Sequence, residues 1–431
     1  MRSSLARLPF FYGWVIVAIA FVTMAIGVNA RTAFSLFFPP IVTEFGWDRG
    51  ATAGAFSFGF LITAFASPLF GRLMDRYGPL VIIEGGIACV AAGLFLAAHM
   101  REPWHLYLTL GVLVGLGSTC LGYTGQGLYL PNWFARRRGL ATSIAYAGAG
   151  VGSIFMMPWL QSMIVAQGWR AAATAAGLLV LVVLAPLNLL VRRRPEDLGL
   201  RPDGDGAPAG SAGAAPSNVV DHAWAAIDWT LARALRTARF WWLASAMFAA
   251  MFSWYTVQVH QTKYLIEVGH APMYAAWALG FVSLIAVPGQ ILMGHLSDRF
   301  GREWVWAAGN AGFALTYVLL IVMRDMPGTT LLWAMVFVQG FIGYGLTGAM
   351  GAAVSEIFQG RHFGSIFGML MGIGMAGGAL GPWLAGVIHD ATGSYSPVFA
   401  LAIACSVASA ACLAIAAPRK VRLVAGRVGR A

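Results

Sequence analysis

The sequence predicts an all-α polytopic membrane protein of twelve transmembrane helices, arranged as two pseudo-symmetric six-helix halves. Three observations predict it. Of the 431 residues, 59% are hydrophobic and 10% charged, with a mean hydropathy of +0.72; a soluble domain carries about 25% charged residues. Apolar runs of about 20 residues, long enough to cross a bilayer, recur twelve times. An internal repeat then divides the chain in two.

The runs lie near 12–37, 51–73, 79–99, 106–132, 139–165, 170–191, 240–263, 274–296, 304–323, 330–352, 363–387 and 397–417. The first is too long for the apolar core of a secretory signal, and the repeat needs it as a helix. With the N-terminus inside, 22 of the 28 Lys and Arg fall on cytoplasmic segments. Five fall outside (Arg49, Arg101, Arg170, Lys263 and Arg324), and Arg31 is left within the membrane. That bias places both termini in the cytoplasm, with the bacterial inner membrane as the expected location. The net charge of +11 therefore belongs to short loops rather than to a nucleic-acid-binding face. Cys89, Cys120, Cys405 and Cys412 all lie inside apolar runs with no C-x-x-C pair, so buried reduced thiols are expected. The eight histidines show no metal-ligand spacing. Neither a metal nor a cofactor is expected.

Residues 192–239 break the pattern and separate an N-terminal half, 1–191, from a C-terminal half with a short basic tail, 240–431. The segment opens with "RRRPEDLGLRPDGDGAPAGSAGAAPS", which reads as a flexible linker. It ends in "DWTLARALRTARF", where Leu231, Leu235 and Ala238 share one helical face and Arg233, Arg236 and Arg239 another. That is either a basic amphipathic helix at the cytoplasmic interface or a helical lead-in to the seventh run.

The repeat has three landmarks. "GRLMDRYG" (71–78) and "GHLSDRFG" (294–301) share G-x-L-x-D-R-x-G at an offset of 223. "WFARRRG" (133–139) and "FQGRHFG" (358–364) lie 225 apart, and "PWL" recurs at 158–160 and 382–384. Offsets of 223 to 225 at three places imply two homologous halves, a design suited to alternating access. Gly71 and Gly294 allow close helix approach. Gly78 and Gly301 permit a tight turn. Asp75 and Asp298 can lie against a positive helix N-terminus in one conformation and lose it in another, with Arg76 and Arg299 beside them. These eight residues are the candidate gate.

The doubled loop resembles that of the major facilitator superfamily, and the resemblance covers nearly the whole chain. Within it, "YGWVIV", "ARTAFSLFF" and "WFARRRGLATSIAYAGAGVG" are similar to the monocarboxylate-transporter and oxalate/formate-antiporter branch, and "HQTKYLIEVG" to its bacterial members. The resemblance implies the major facilitator fold and a solute-binding basic residue late in the first helix, here Arg31. It also implies an Asp and an Arg in the eighth helix. Ser283 and Val287 stand there instead, so the usual carboxylate proton site is missing.

Arg31 costs a few kcal/mol or more to insert. It shares a small or polar stripe with Thr23, Gly27 and Ser35, so it faces a wet cavity or snorkels to the outer headgroups. Tyr123, Gln126 and Tyr129 in the fourth run either line a solute path or act as interhelical hydrogen-bonding groups. Tyr255, Gln258, His260, Gln261 and Lys263 approach the outer end of the seventh. His260 is either a titrating group or a bonded structural one, and Lys263 either draws in anions or flanks the membrane. Glu84 is a second candidate proton carrier, or an interfacial charge.

These features lead to a secondary active transporter of a small organic anion, with a monocarboxylate as first candidate, working as a monomer in the lipid bilayer. Only one arginine lies within the membrane, which favours a singly charged solute. An efflux transporter for an amphipathic compound and a non-transporting solute sensor are the alternatives. An enzyme is not expected, because no acidic cluster, His series or nucleophile elbow is present. No phosphate-binding G-x-x-x-x-G-K-[ST] loop is present for ATP to drive transport.

Overall fold

A computed structural model describes residues 11–47, 49–204 and 218–427. Among these, twelve long helical stretches run in the order α1 Gly13–Phe45, α2 Arg49–Tyr77, α3 Pro79–Ala97, α4 Pro103–Asn132, α5 Arg138–Gln167, α6 Trp169–Asn188, α7 Ala238–Glu267, α8 Pro272–Phe300, α9 Arg302–Asp325, α10 Thr329–Ile357, α11 Phe363–Thr392 and α12 Ser396–Ala416. Ten contain a stretch long and apolar enough to cross a membrane. α2 and α7 match them in length, at 29 and 30 residues. Large apolar side chains face outward along these helices, Phe65 at 77% and Val165 at 78% exposure. In water such exposure is an aggregation hazard, but against lipid it costs nothing.

Local chemistry fixes the ends. Thr237 accepts the Phe240 N–H and caps α7. Pro79, Pro103 and Pro397 open α3, α4 and α12, where the missing N–H is not needed. Gly78 and Gly301 end α2 and α8 at φ of +82° and +116°, a backbone region that strains any residue with a Cβ.

α1 runs eight residues beyond its expected end at 37. It bends at Ala33, where one helical segment stops and Phe34–Phe45 begins, and continues through Pro39 and Pro40 to the left-handed cap at Gly46. Prolines end helices in water but are tolerated in membrane spans, where neighbouring helices satisfy the freed carbonyls.

Contacts divide the chain into two units. The first holds residues up to Ala135 and from Ala145 into the linker. There α1 and α5 touch backbone to backbone: a Cβ on Gly152 would lie 2.1 Å from the Ala25 carbonyl oxygen. Asn29 Nδ2 donates to Ala149 O at 2.9 Å. The second unit holds Arg136–Ile144 and the chain from Pro208, within the linker, onward. Its α7, α9 and α12 are joined by Ser253, whose hydroxyl lies 2.9 Å from Ser406 Oγ and whose carbonyl accepts the Tyr317 hydroxyl at 3.2 Å.

Three helices among the described residues widen locally, one of them α6 at Val180–Leu184. α4 widens to a π-helix at Tyr107–Leu113 and α10 at Val338–Ile342. In these two a glycine is pressed by a neighbour: a Cβ on Gly111 would meet Ala55 O, and one on Gly340 would meet Val282 O.

The linker is more ordered than its composition suggests. Pro195–Leu198 forms a 3₁₀ turn, and Asp203 Oδ2 accepts the Ala135 N–H. Past residues 205–217, which lie outside the described residues, Val219 pairs with Arg422 as an isolated antiparallel bridge. The basic stretch is not one amphipathic helix. It is a four-residue helix, Leu231–Ala234, a turn, and then α7. Thr230 and Thr237 each cap their own start, so the two short segments outcompete one continuous face.

Candidate functional site

In the first unit, Arg31 sits one residue before the end of the first segment of α1. Its guanidinium carbon lies 3.8 Å above the centre of the Phe60 ring on α2. A cation over an aromatic face is held by the ring quadrupole. α1 continues for fourteen residues past Arg31, about 21 Å, so Arg31 lies well inside the helix and not at its end. The bend at Ala33 lies beside it. Of its stripe, Thr23 and Gly27 are buried, and Thr23 exchanges hydrogen bonds with Asn188. Ser35 is exposed and donates to Thr32 O.

α4 breaks at Gly122, whose backbone is extended, and restarts at Tyr123. The Tyr129 hydroxyl donates to Gln126 Oε1 at 2.6 Å, and Gln126 Nε2 donates to Leu121 O. Both side chains are fully buried, so here they serve each other and the broken backbone. Tyr123 is half-buried against the Tyr146 ring, centroids 4.9 Å apart, and its carbonyl accepts the Tyr146 hydroxyl. Glu84 is half-buried in α3, and its Oε1 is buried with no hydrogen-bond partner among the described residues.

In the second unit, α7 presents Tyr255 half-buried and Gln258 exposed. Tyr255 stacks on Trp254, whose indole N–H donates to the Tyr344 hydroxyl of α10 at 3.3 Å. His260 is fixed on both sides. Nε2 lies 3.0 Å from the Pro382 carbonyl, an acceptor only, so Nε2 carries the proton. Nδ1 then accepts the Tyr395 hydroxyl at 3.2 Å. Lys263 is exposed and 3.7 Å from Glu267. Ser283 donates weakly to Leu279 O of its own helix.

The gate residues fall into two groups. Asp298 receives the start of α5: Gly139 N–H donates to Oδ1 at 3.0 Å and Leu140 N–H to Oδ2 at 2.9 Å. This is a carboxylate on a helix N-terminus, where unsatisfied N–H groups and the dipole both favour it. Gly139 and Gly294 permit the approach, since a Cβ on either would lie 2.6 Å from the other's carbonyl oxygen. Arg302, 1% exposed, holds Asp298 Oδ1 at 2.6 Å and Glu356 Oε1 at 2.8 Å. Arg422 donates to the Glu356 carbonyl and Arg419 N–H to Glu303 Oε1. Arg299 is exposed, with its backbone under Gly426. In the first unit Gly71 is buried, Asp75 half-buried and Arg76 exposed.

Sequence reasoning missed Arg302, Glu356 and Gln339, the buried partner with which Gln261 exchanges amide hydrogen bonds of 2.7 and 3.1 Å. The one signal was "GREW" at 301–304, a charged pair opening an apolar run. The four cysteines are free, Cys120 buried and the others half-buried.

Comparison with known proteins agrees with the helix pattern. The sequence model of the Major Facilitator Superfamily matches residues 17–289 and 243–429. Monocarboxylate transporter 13 of Bos taurus is 26% identical over 396 residues, covering 91% of this chain and 86% of that protein. Human monocarboxylate transporter 11 is 28% identical over 403 residues, covering 90% and 80%. Among solved structures, the Escherichia coli fucose:proton symporter FucP superposes with a TM-score of 0.67 at 16% identity, covering 94% of this chain and 98% of that one. The twelve helices, the doubled loop and these relatives lead to one conclusion: the chain belongs to the major facilitator superfamily and is a multi-pass membrane transporter of small solutes, not an enzyme.

Proposed function

We propose that the protein is a secondary active transporter of a small organic anion of the monocarboxylate class, working by alternating access as a monomer. The observation that carries this is Arg31. Its guanidinium lies within α1 over the Phe60 ring, and a singly charged carboxylate matches its planar fork. The similarity to monocarboxylate transporters 13 and 11 supports the same solute class. Tyr123, beside the break in α4, and Tyr255 and Gln258 on α7 are the further candidate contacts, with Lys263 at the rim. Asp75 and Asp298 with their arginines and glycines form the proposed gate, and exchange between states releases the α5 N-terminus from Asp298. The 22-to-5 distribution of basic residues supports a bacterial inner membrane location with both termini in the cytoplasm.

The test is uptake of labelled lactate by proteoliposomes of the purified protein, competed by a panel of carboxylates. Saturable uptake, competed by monocarboxylates and not by dicarboxylates or neutral amphipaths, is expected. Transport of amphipathic compounds alone would replace the proposal with efflux, and binding without transport would replace it with a sensor.

A further inference from the structure

The two G-x-L-x-D-R-x-G loops end in corners built differently. In the second unit the corner past α8 is covered by the chain's own tail. Arg419 N–H donates to Glu303 Oε1 at 3.0 Å. Gly426 lies so close that a Cβ there would be 2.6 Å from the Arg299 carbonyl oxygen. An acid and a strap of backbone occupy the position.

In the first unit the corner is a cleft of about 480 Å³ between the α2–α3 turn and the end of α6. Its charged lining is wholly basic: Arg76, Arg192 and Arg193. Asp75, next to Arg76 in sequence, does not line it. Gly78 and Pro79, also in the lining, begin α3, a 19-residue helix with no side-chain cap. The positive end of that helix therefore opens into the cleft. Arg192 is fixed at the rim by donating to the Leu189 and Val191 carbonyls at 2.8 and 2.9 Å. On the two flanking helices the surface turns apolar, with Val81 and Leu189 at 55% and 56% exposure.

We propose that this cleft binds the phosphate of an anionic phospholipid, with its acyl chains along α3 and α6. Three guanidinium groups and a helix N-terminus match a phosphodiester. The exposed apolar flank has no use for a free phosphate but fits a chain in the bilayer. Basic residues at a membrane surface each raise affinity for anionic lipid roughly fivefold. The second unit needs no lipid there, because its tail fills the corner. The inference uses only the membrane-spanning fold and stands apart from the identity of the solute.

The experiment uses the full-length protein, delipidated in neutral detergent. Its thermal midpoint and its lipid adducts by native mass spectrometry are followed against dioleoylphosphatidylglycerol, dioleoylphosphatidylcholine and inorganic phosphate. Phosphatidylglycerol is expected to raise the midpoint and form a retained adduct, with phosphatidylcholine and phosphate doing neither. R76Q/R193Q is expected to lose about 25-fold in affinity for phosphatidylglycerol, R76K/R193K to keep most of it, and R233Q/R236Q, a basic pair elsewhere, to keep all of it. Should R76Q/R193Q fail to fold, R193Q alone carries the test with an expected loss of about fivefold. Equal response to both lipids overturns the proposal, as does full retention of affinity in the glutamine variants. A full midpoint shift from phosphate alone makes the cleft a free-anion site and overturns the lipid assignment.

Discussion

Arg31 is the residue on which the solute reading stands, and its replacement separates two roles. A charge-assisted hydrogen bond contributes about 1.5–3 kcal/mol, so Arg31→Gln should weaken solute affinity roughly 10- to 150-fold at unchanged expression. Arg31→Lys should keep part of it, since the charge survives and the planar fork does not. Solute titration of folded, monodisperse variant protein decides. Wild-type affinity in Arg31→Gln would leave Arg31 an anchor held by Phe60. At this scale the sequence was legible wherever a residue contradicts its surroundings. One charge in an apolar run singled out Arg31. Gln126 and Tyr129 stood out equally, yet they pair with each other at a spacing of three. Polarity marks a residue that needs a partner, but not which partner meets the need. Arg302 and Glu356 lie 54 positions apart, and nothing local in the sequence joins them.

At the scale of elements, the N-terminus of α5 and the end of α8 form one electrostatic joint. Asp298 accepts two backbone N–H groups and neutralises part of a buried arginine. Asp298→Asn removes the charge and turns a donor toward donors. Breaking a buried pair costs about 3–5 kcal/mol in the state that makes it, so the variant should depopulate that state. Cysteine accessibility from each side of the membrane measures the change for Asp298→Asn and for Asp75→Asn. Unchanged accessibility in both would leave the loops only a role in topology. Most element boundaries were legible because glycine and proline mark them. α1 was not, because Pro39 and Pro40 read as a stop in any aqueous setting. The π-turns in α4, α6 and α10 were also hidden, since no local residue pattern marks them: Gly111 and Gly340 lie in two of them and the third, Val180–Leu184, has no glycine.

For the whole molecule, the question is what drives the solute. Ser283 stands where a carboxylate is expected and donates only to its own helix. Uptake should therefore depend on a pH gradient less strongly than in proton symporters that keep that carboxylate. His260 is held by Pro382 and Tyr395. Glu84 has a buried carboxyl oxygen with no partner among the described residues, so the residual dependence is assigned to it. Proteoliposome uptake with and without an imposed gradient should show a small effect that Glu84→Gln abolishes. Strong gradient-driven accumulation surviving both Glu84→Gln and His260→Gln would refute the assignment. The doubled architecture was the most legible feature, because three landmarks recur at offsets within two residues of each other and a repeat constrains every helix at once.

The pairing of Val219 with Arg422 has a consequence for how this chain can be rearranged. Leu423 N–H donates to Asn218 O at 2.7 Å, and Val220 N–H to Val421 O at 2.9 Å, so the linker and the segment past α12 are tied backbone to backbone. Domains whose ends meet tolerate being re-cut. A covalent bond there would close the chain between residues 220 and 421 into a ring. A gene encoding such a segment can be duplicated, fused or permuted without first having to bring distant ends together.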